Sequence, residues 1–553
     1  MKPIIYQLFP RLFTNSCDHC VPGGTIKQNG SGKMNDITMP VLKKLKDLGA
    51  THVWFTGVIR HATKTHYKDI PDCNPHIVKG NAGSPYAITD YYDIDPDIAV
   101  RVKYRMKEFE QLVQRTHEAG LKALIDFVPN HVARQYHSIA KPHDVDDLGE
   151  SDNKDLAFSP TNNFYYMPGE QFAPGIYLGQ GADFYYEKPA MATGNDCFHP
   201  YPSKNDWYET VKLNYGVDYA TGERHFSPIP STWHKMLDIL RFWAAKGIDG
   251  FRCDMAHMVP VEFWNWAIPQ VKERHPHIAF IAELYDTAIY RDYIYRGHFD
   301  YLYDKVSLYD TLRAVTCGTA SASAITGCWQ AVEGMGDHML NFLENHDEQR
   351  IASPQFAGNA LKAVPALVVS ATISRAPFMI YQGQELGEPA LDAEGFSGQD
   401  GRTTIFDYWS IPTLRRWYHG GKCDTTRLSK GERELRRFYK KLLRLCNSEK
   451  AIASGEFYDL MYANRDSMNC DKVYAYYRHL GQERLLIIAN FGDHEESIGL
   501  CTPAHALHTM HMLPATYHAR ELLTSHDLTL NISADAPLCL TIAPRSAMII
   551  KLM

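Results

Sequence analysis

The sequence contains no run approaching roughly 18 uninterrupted apolar residues, which leaves no candidate for a transmembrane helix. Its first residues, Met1-Lys2-Pro3-Ile4-Ile5-Tyr6-Gln7, lack an apolar core and a small-residue cleavage site, so they do not read as a secretory signal. Positive charge is not in excess: 57 Lys and Arg stand against 64 Asp and Glu, for a net charge of −7. That balance supplies no electrostatic footprint for nucleic acid or an anionic membrane. A disulfide framework is also missing. Twelve cysteines are scattered along the chain, and the one close pair, Cys17-Asp18-His19-Cys20, has no second pair to complete a zinc site. Together with the missing signal, this predicts reduced thiols in a cytoplasmic protein. There are no internal repeats, no low-complexity tracts, no dinucleotide-binding or thioredoxin-like context, and no Asp-rich EF-hand loop near the N-terminus. No redox cofactor is implied.

What is present is an ordinary globular composition, 45% hydrophobic and 22% charged, with 33 Tyr, 24 Phe and 9 Trp. Flat aromatic faces suit sugar rings, and they suit cores equally well. Short β-rich runs alternate with helical patterns through most of the chain. The predicted strands are Ile4–Phe9, His52–Thr56, Ala123–Val128, Gly250–Asp254, Ile278–Leu284, Tyr301–Tyr303, Leu340–Leu343 and Phe378–Tyr381. Amphipathic stretches such as Met39–Leu48, Met106–Ala119 and Trp233–Ala245 lie between them. Eight strands separated by helices predict an α/β fold, a parallel (β/α)8 TIM barrel. One connection is too long to be a loop. The about 85 residues of 132–216, rich in Tyr, Pro, Asn, Asp and Gly, predict a small domain inserted after the third strand. The barrel would then comprise 1–131 and 217–450. After the charged helix Lys430–Leu445 the texture becomes all-β, with strands at Lys472–Arg478, Arg484–Phe491, Leu528–Ile532 and Ala547–Leu552. Residues 451–553 therefore predict a C-terminal β-sandwich.

The stretch Gly250-Phe251-Arg252-Cys253-Asp254 carries the first chemical signal. Strand alternation puts Arg252 and Asp254 on one face and Phe251 and Cys253 on the other. Two opposite charges on an inward face either form a structural ion pair or do chemistry. The other strands favour chemistry. Asp126, Asp254, Glu283 and Asp347 fall at or just past predicted strand ends, where βα barrels build their active sites. Paired carboxylates at such a mouth suggest cleavage of a glycosidic bond, one ionised and one protonated. Arg252 is expected to lower the pKa of Asp254 and keep it charged. Glu283, in the apolar setting Phe280-Ile281-Ala282-Glu283-Leu284, is expected to be raised and to serve as acid. Cys253 reads as apolar filler.

Four ordered segments then resemble the motifs of the α-amylase family: Asp126-Phe127-Val128-Pro129-Asn130-His131, Gly250-Phe251-Arg252-Cys253-Asp254, Ala282-Glu283 and Glu344-Asn345-His346-Asp347. Ser84-Pro85-Tyr86 through Asp90-Tyr91 resembles the family's stacking-tyrosine segment, and Tyr381-Gln382-Gly383-Gln384-Glu385 its strand-8 signature. The resemblance runs in order along nearly the whole chain. It implies a retaining hydrolase of α-1,4-glucans or maltooligosaccharides in which Asp254 is the nucleophile, Glu283 the acid/base and Asp347 the residue that grips sugar hydroxyls. It implies sugar contacts from Tyr86, His131, Arg252, His346, His257 and Arg350. It implies no required cofactor, and it marks Asn130 as the candidate ligand of a structural calcium.

The match departs after the nucleophile, where Met255-Ala256-His257-Met258 stands in place of the Lys-His of many members. In those members the lysine reaches the leaving-side sugar and the histidine carbonyl helps bind calcium. A transglycosylase or an α-1,6-acting enzyme fits the same motifs, since acceptor subsites and water access separate these outcomes. A non-catalytic glycan-binding protein on this fold is the remaining alternative, and the presence of all three acids speaks against it. The expected partner is an α-glucan, with no nucleic acid and no membrane.

Overall fold

The computed structural model describes residues 1–553. Eight parallel strands close into a barrel: β1 (Ile4–Leu8), β2 (His52–Phe55), β3 (Lys122–Phe127), β4 (Gly250–Cys253), β5 (Ala279–Ala282), β6 (Tyr301–Tyr303), β7 (Met339–Phe342) and β8 (Phe378–Tyr381). Each pairs with its sequence neighbours, and β1 meets β8 through Ile4↔Phe378. All eight predicted strands are present, and their ends agree with the sequence reading to within two residues.

Strand alternation sorts the side chains. Ile5, Trp54, Leu124, Ile281, Leu340 and Met379 point inward and form a small separate core within the barrel. Their outward neighbours join the main core beneath the helices. Gly250 sits where β3, β4 and β5 crowd together: a Cβ there would lie 2.6 Å from the Ala279 carbonyl oxygen.

The helices follow from their apolar spacing. Met39–Leu48 buries Val41, Leu42, Leu45 and Leu48 and stops at Gly49, whose φ of +125° favours glycine. Lys430–Ser448 starts at a capping box of Ser429 and Glu432 and buries Leu435, Tyr439, Leu442, Leu443 and Cys446 on one stripe. Each such side chain contributes about 1.5–3 kcal/mol by leaving water. No helix is long and apolar enough to cross a membrane.

The segment after β3 has little regular structure. His131–Ala133 pairs antiparallel with Thr210–Lys212 and closes its base, and Tyr166–Met167 pairs with Ala190–Met191 above. Between them, side chains hold the backbone. Asp152 accepts from the amides of Asn163 and Phe164 at 2.7 and 3.0 Å. Tyr165, Tyr166, Tyr185 and Tyr215 are buried within this segment.

The C-terminal region forms a six-stranded antiparallel sheet accompanied by a two-stranded one, Glu496–Leu500 with Leu538–Ile542. Glu456–Asp459, Glu496–Leu500, Ala515–Glu521 and Leu538–Ile542 are strands beyond those predicted. Buried Arg478 fastens the sheet to the barrel by donating to the carbonyl of Ile373 at 3.0 Å, and it also donates to the carbonyl of Gly455 at 2.6 Å within its own region. All twelve cysteines are free.

Candidate active site

At the C-terminal mouth of the barrel the strand ladders deliver the acids into one cavity of about 750 Å³. In the register of β3 and β4, Arg252 stands beside Asp126. The ladder continues one residue further: the Asp254 amide donates to the Phe127 carbonyl at 2.9 Å, and the Glu283 amide donates to the Cys253 carbonyl at 3.0 Å. Asp254, Glu283 and Asp347 line the cavity with Tyr86 and His131.

Arg252 is the hub, and it corrects the sequence expectation. It does not serve Asp254 alone. Its NH1 lies 2.7 Å from Asp254 Oδ1 and 3.7 Å from Asp126 Oδ1, and its NH2 lies 2.8 Å from Glu283 Oε2. The rings of Trp54, Tyr86 and Tyr303 surround the guanidinium at 5.3–5.6 Å. One cation divided among three buried carboxylates cannot hold Asp254 low. Burial, then the negative charge of Glu283, pushes Asp254 well above the usual carboxylate range, and Arg252 only partly offsets them. Titration in such a pair belongs to the pair.

Glu283 is not in an apolar setting either. Its Oε2 accepts the Met255 amide at 2.8 Å, and its Oε1 accepts the Tyr285 hydroxyl at 2.5 Å. Of its apolar neighbours in sequence, Phe280, Ala282 and Leu284 lie on the opposite strand face, and Ile281, on the same face, belongs to the core inside the barrel. Met255 itself takes a left-handed backbone conformation, φ +43°, at the turn that aims its amide there.

Asp347 is about one third exposed and pairs with His346 Nε2 at 3.0 Å. Burial raises it, but His346, Arg252 and Arg402 more than compensate, and it rests below the usual range. His346 is buried and held from both ring nitrogens, by Gln7 at 2.8 Å and by the Tyr86 hydroxyl at 2.5 Å. It anchors Tyr86 and Asp347 and does not line the cavity itself. His131 does line it, against the ring of Trp207 at 5.2 Å. Burial, with Lys212 and Lys79 nearby, lowers its pKa to about 3, so it is neutral in the working range.

Two candidates fall elsewhere. Arg350 is fully buried, pairs with Glu344 at 3.0 Å, donates to the Gln382 carbonyl at 2.9 Å and lies over Tyr381. It ties the loops after β7 and β8 together and is out of reach of the cavity. His257 faces a neighbouring cavity that shares Met255 and Trp207 with the first one. Asn130 sits beside the site, its Oδ1 accepting from the Lys212 ammonium at 2.7 Å and its amide donating to the Gly194 carbonyl at 2.7 Å.

Several lining residues carried no local signal in the sequence. Lys79, Trp207, Phe396 and Phe406 come from long loops and wall the cavity. Tyr285 was within reach: it follows Glu283 by two residues and so shares its face. Tyr303, which accepts from Arg252 Nε at 3.3 Å, is inward on β6 by the same alternation.

Comparison with known proteins bears on the family and the fold. A family model described as "Alpha amylase, catalytic domain" matches residues 7–411. Alpha-amylase 3 of Dictyoglomus thermophilum is 23% identical over 514 residues, 89% of this chain and 85% of the relative. Neopullulanase 2 of Thermoactinomyces vulgaris is 23% identical over 523 residues, 91% of this chain and 71% of the relative. Among solved structures, a noncanonic maltogenic alpha-amylase, AmyB, from Thermotoga neapolitana superposes with a TM-score of 0.64 at 19% identity, covering 100% of this chain and 98% of the other. The alpha-amylase of Geobacillus thermoleovorans, complexed with acarbose, gives 0.63 at 18% identity with 100% and 98% covered.

Proposed function

The chain belongs to the α-amylase family and is a glycosidase, and from that premise we propose that it hydrolyses α-1,4-glucosidic bonds of glucans or maltooligosaccharides with retention of configuration. The observation that carries the proposal is the convergence of Asp254, Glu283 and Asp347 on one cavity, with Arg252 bridging the first two.

Arg252 engages Oδ1 of Asp254, and Oδ2 has no hydrogen bond to protein, so Oδ2 is the attacking atom. It forms a bond to the anomeric carbon as the bond from that carbon to the leaving oxygen breaks. Glu283 supplies the proton to the leaving oxygen. Because its Oε2 already faces the Met255 amide and Arg252, the proton sits on Oε1, beside the Tyr285 hydroxyl. In the second half Glu283 takes a proton from water, the water oxygen attacks the anomeric carbon, and Asp254 is released. Asp347, fixed by His346 and kept ionised, accepts from sugar hydroxyls and strengthens those bonds as positive charge develops on the ring. Tyr86 and Trp207 offer flat faces to the sugar.

The test is incubation with maltoheptaose, with products resolved by chromatography and their anomers read early by proton NMR. Shorter α-anomeric sugars support the proposal. Products longer than the substrate reassign it to transglycosylation, and an inert maltoheptaose alongside a cleaved α-1,6-linked substrate reassigns the bond.

A further inference from the structure

The resemblance marks Asn130 as a calcium ligand, and the surrounding groups do not fit that ion. Calcium takes six to eight oxygen ligands. Here the Asn130 Oδ1 is already occupied by the Lys212 ammonium at 2.7 Å, and the same ammonium lies 2.6 Å from Asp196 Oδ1. The ring of Tyr219 covers it at 5.3 Å. Lys212 is only 1% exposed. No cluster of three or more His, Cys, Asp or Glu side chains suited to a metal ion occurs in the structure.

The position of this ammonium matters as much as its partners. Asn130 belongs to the turn leaving β3, Gly194 and Asp196 belong to the inserted segment, and Lys212 lies on the strand that returns to the barrel. In that short ladder Lys212 stands opposite His131, which lines the cavity. Two parts of the inserted segment and the turn that leaves β3 are thus joined by one buried cation, beside a wall of the active site. A divalent ion at the Asn130 oxygen would be forced against the ammonium, and like charges at such separation repel strongly in a buried site.

We propose that the Lys212 ammonium is a built-in substitute for a bound metal ion, tying the inserted segment to the barrel through Asn130 and Asp196, so that this protein needs no calcium to hold its active site. The charge of a covalently attached lysine is present at every metal concentration. Its cost is the burial of an ammonium, which Asp196, Asn130 and the Tyr219 face offset.

The test measures melting temperature and metal content, so its outcome is independent of which glucan the cavity takes. Wild-type protein treated with excess EDTA, then supplied with excess calcium, is expected to melt within about 1 °C of the untreated sample, because an ion that does not bind cannot shift stability. Atomic emission on the purified protein is expected to find far less than one calcium per chain. A stoichiometric calcium, or a melting temperature that EDTA lowers and calcium restores, overturns the proposal. Lys212→Ala leaves Asn130 Oδ1 and the Asp196 carboxylate facing an open space. It is expected to melt several degrees lower and to recover in part when calcium is added. A Lys212→Ala protein that melts like wild type, or one that calcium does not stabilise, also overturns it. If this variant fails to fold, the wild-type measurements decide alone.

Discussion

Replacing Asp254 by Asn is expected to abolish turnover and to make the fold more stable. Both effects come from the same crowding. Asp126, Asp254 and Glu283 place three carboxylates around the Arg252 guanidinium. A close ion pair at an effective dielectric constant of about 20 is worth about 4 kcal/mol, and one cation cannot supply that to three anions. The raised pKa of Asp254 expresses the deficit, caused first by burial and then by Glu283. The Asp254→Asn side chain keeps an oxygen for Arg252 NH1 and removes one charge, leaving the guanidinium to Glu283 and Asp126. Replacing a whole buried ion pair or triad by well-packed apolar residues is neutral or stabilises by about 1–4 kcal/mol, and removing the surplus anion here, with Arg252 still paired to Glu283 and Asp126, is expected to fall in that range. With an unfolding entropy of about 2.1 cal/mol/K per residue, a chain of this length converts that to roughly 1–3 °C in melting temperature. The sign with pH follows. A carboxyl whose folded pKa is raised contributes stability that is complete below its unfolded value and is lost as pH rises through the folded value. The advantage of the Asp254→Asn variant over the wild type should therefore vanish near pH 4 and grow toward pH 8. Loss of the nucleophile should lower kcat/KM by about 10⁴ or more, equivalent to about 5.5 kcal/mol. Scanning calorimetry at the two pH values and a reducing-sugar assay read both quantities. A variant that melts lower than wild type at pH 8 refutes the electrostatic argument, and one that keeps more than about 1% of wild-type kcat/KM refutes the assignment of the nucleophile.

Other substitutions separate chemistry from support. Arg350→Met leaves Glu344 buried without its partner, and it is expected to cost about 3–5 kcal/mol of stability while the folded fraction keeps its KM. A KM that rises with unchanged stability would return Arg350 to the substrate. Tyr285→Phe removes the hydroxyl at Glu283 Oε1 and is expected to reduce kcat by about 10- to 100-fold with an unchanged melting temperature. Trp207→Ala should raise KM about 10-fold or more through loss of a stacking face worth about 1–3 kcal/mol, with kcat less affected; isothermal titration with a maltooligosaccharide on the Asp254→Asn protein checks it. Glu394 is pushed up to about 9 by burial and by nearby Glu388, so its contribution is complete below its unfolded value near 4.5 and is lost as pH rises toward 9. Glu394→Gln should remove that loss, so its melting temperature should gain on the wild type steadily from pH 5 to pH 9.

The strands and the acids at their ends were legible because both depend on short-range regularities. Alternation with period two places Gly250, Arg252 and Asp254 on the inner face, and it does so for Ile281 and Glu283 as well. The same rule extends to Tyr285 and Tyr303, which pass unnoticed without a partner to point to. In the C-terminal region the strands Val473–Leu480 and Glu483–Asn490, almost wholly buried, stood out as apolar runs. Ala515–Glu521 did not, because most of its residues face solvent and its composition is that of a loop. The wall of the cavity was least legible. Lys79, Trp207 and Phe406 lie far apart in sequence and meet only because the loops after β2, β3 and β8 fold over one mouth.

The sequence by itself determined the barrel, the long insertion, and which carboxylates stand at the mouth, because strand periodicity and strand-end position are local properties. Tertiary structure alone decided how the charges are shared. Arg252 was paired in sequence with Asp254, yet its two terminal nitrogens are divided among Asp126, Asp254 and Glu283, which come from three different strands. Arg350 looked available to a sugar and is sealed beneath Tyr381 against Glu344. Lys212 drew no attention within the inserted segment and reaches Asn130, 82 positions earlier. The energy of a charge depends on everything within a few ångströms of it and on how much water is left there. Neither quantity exists until the chain has closed.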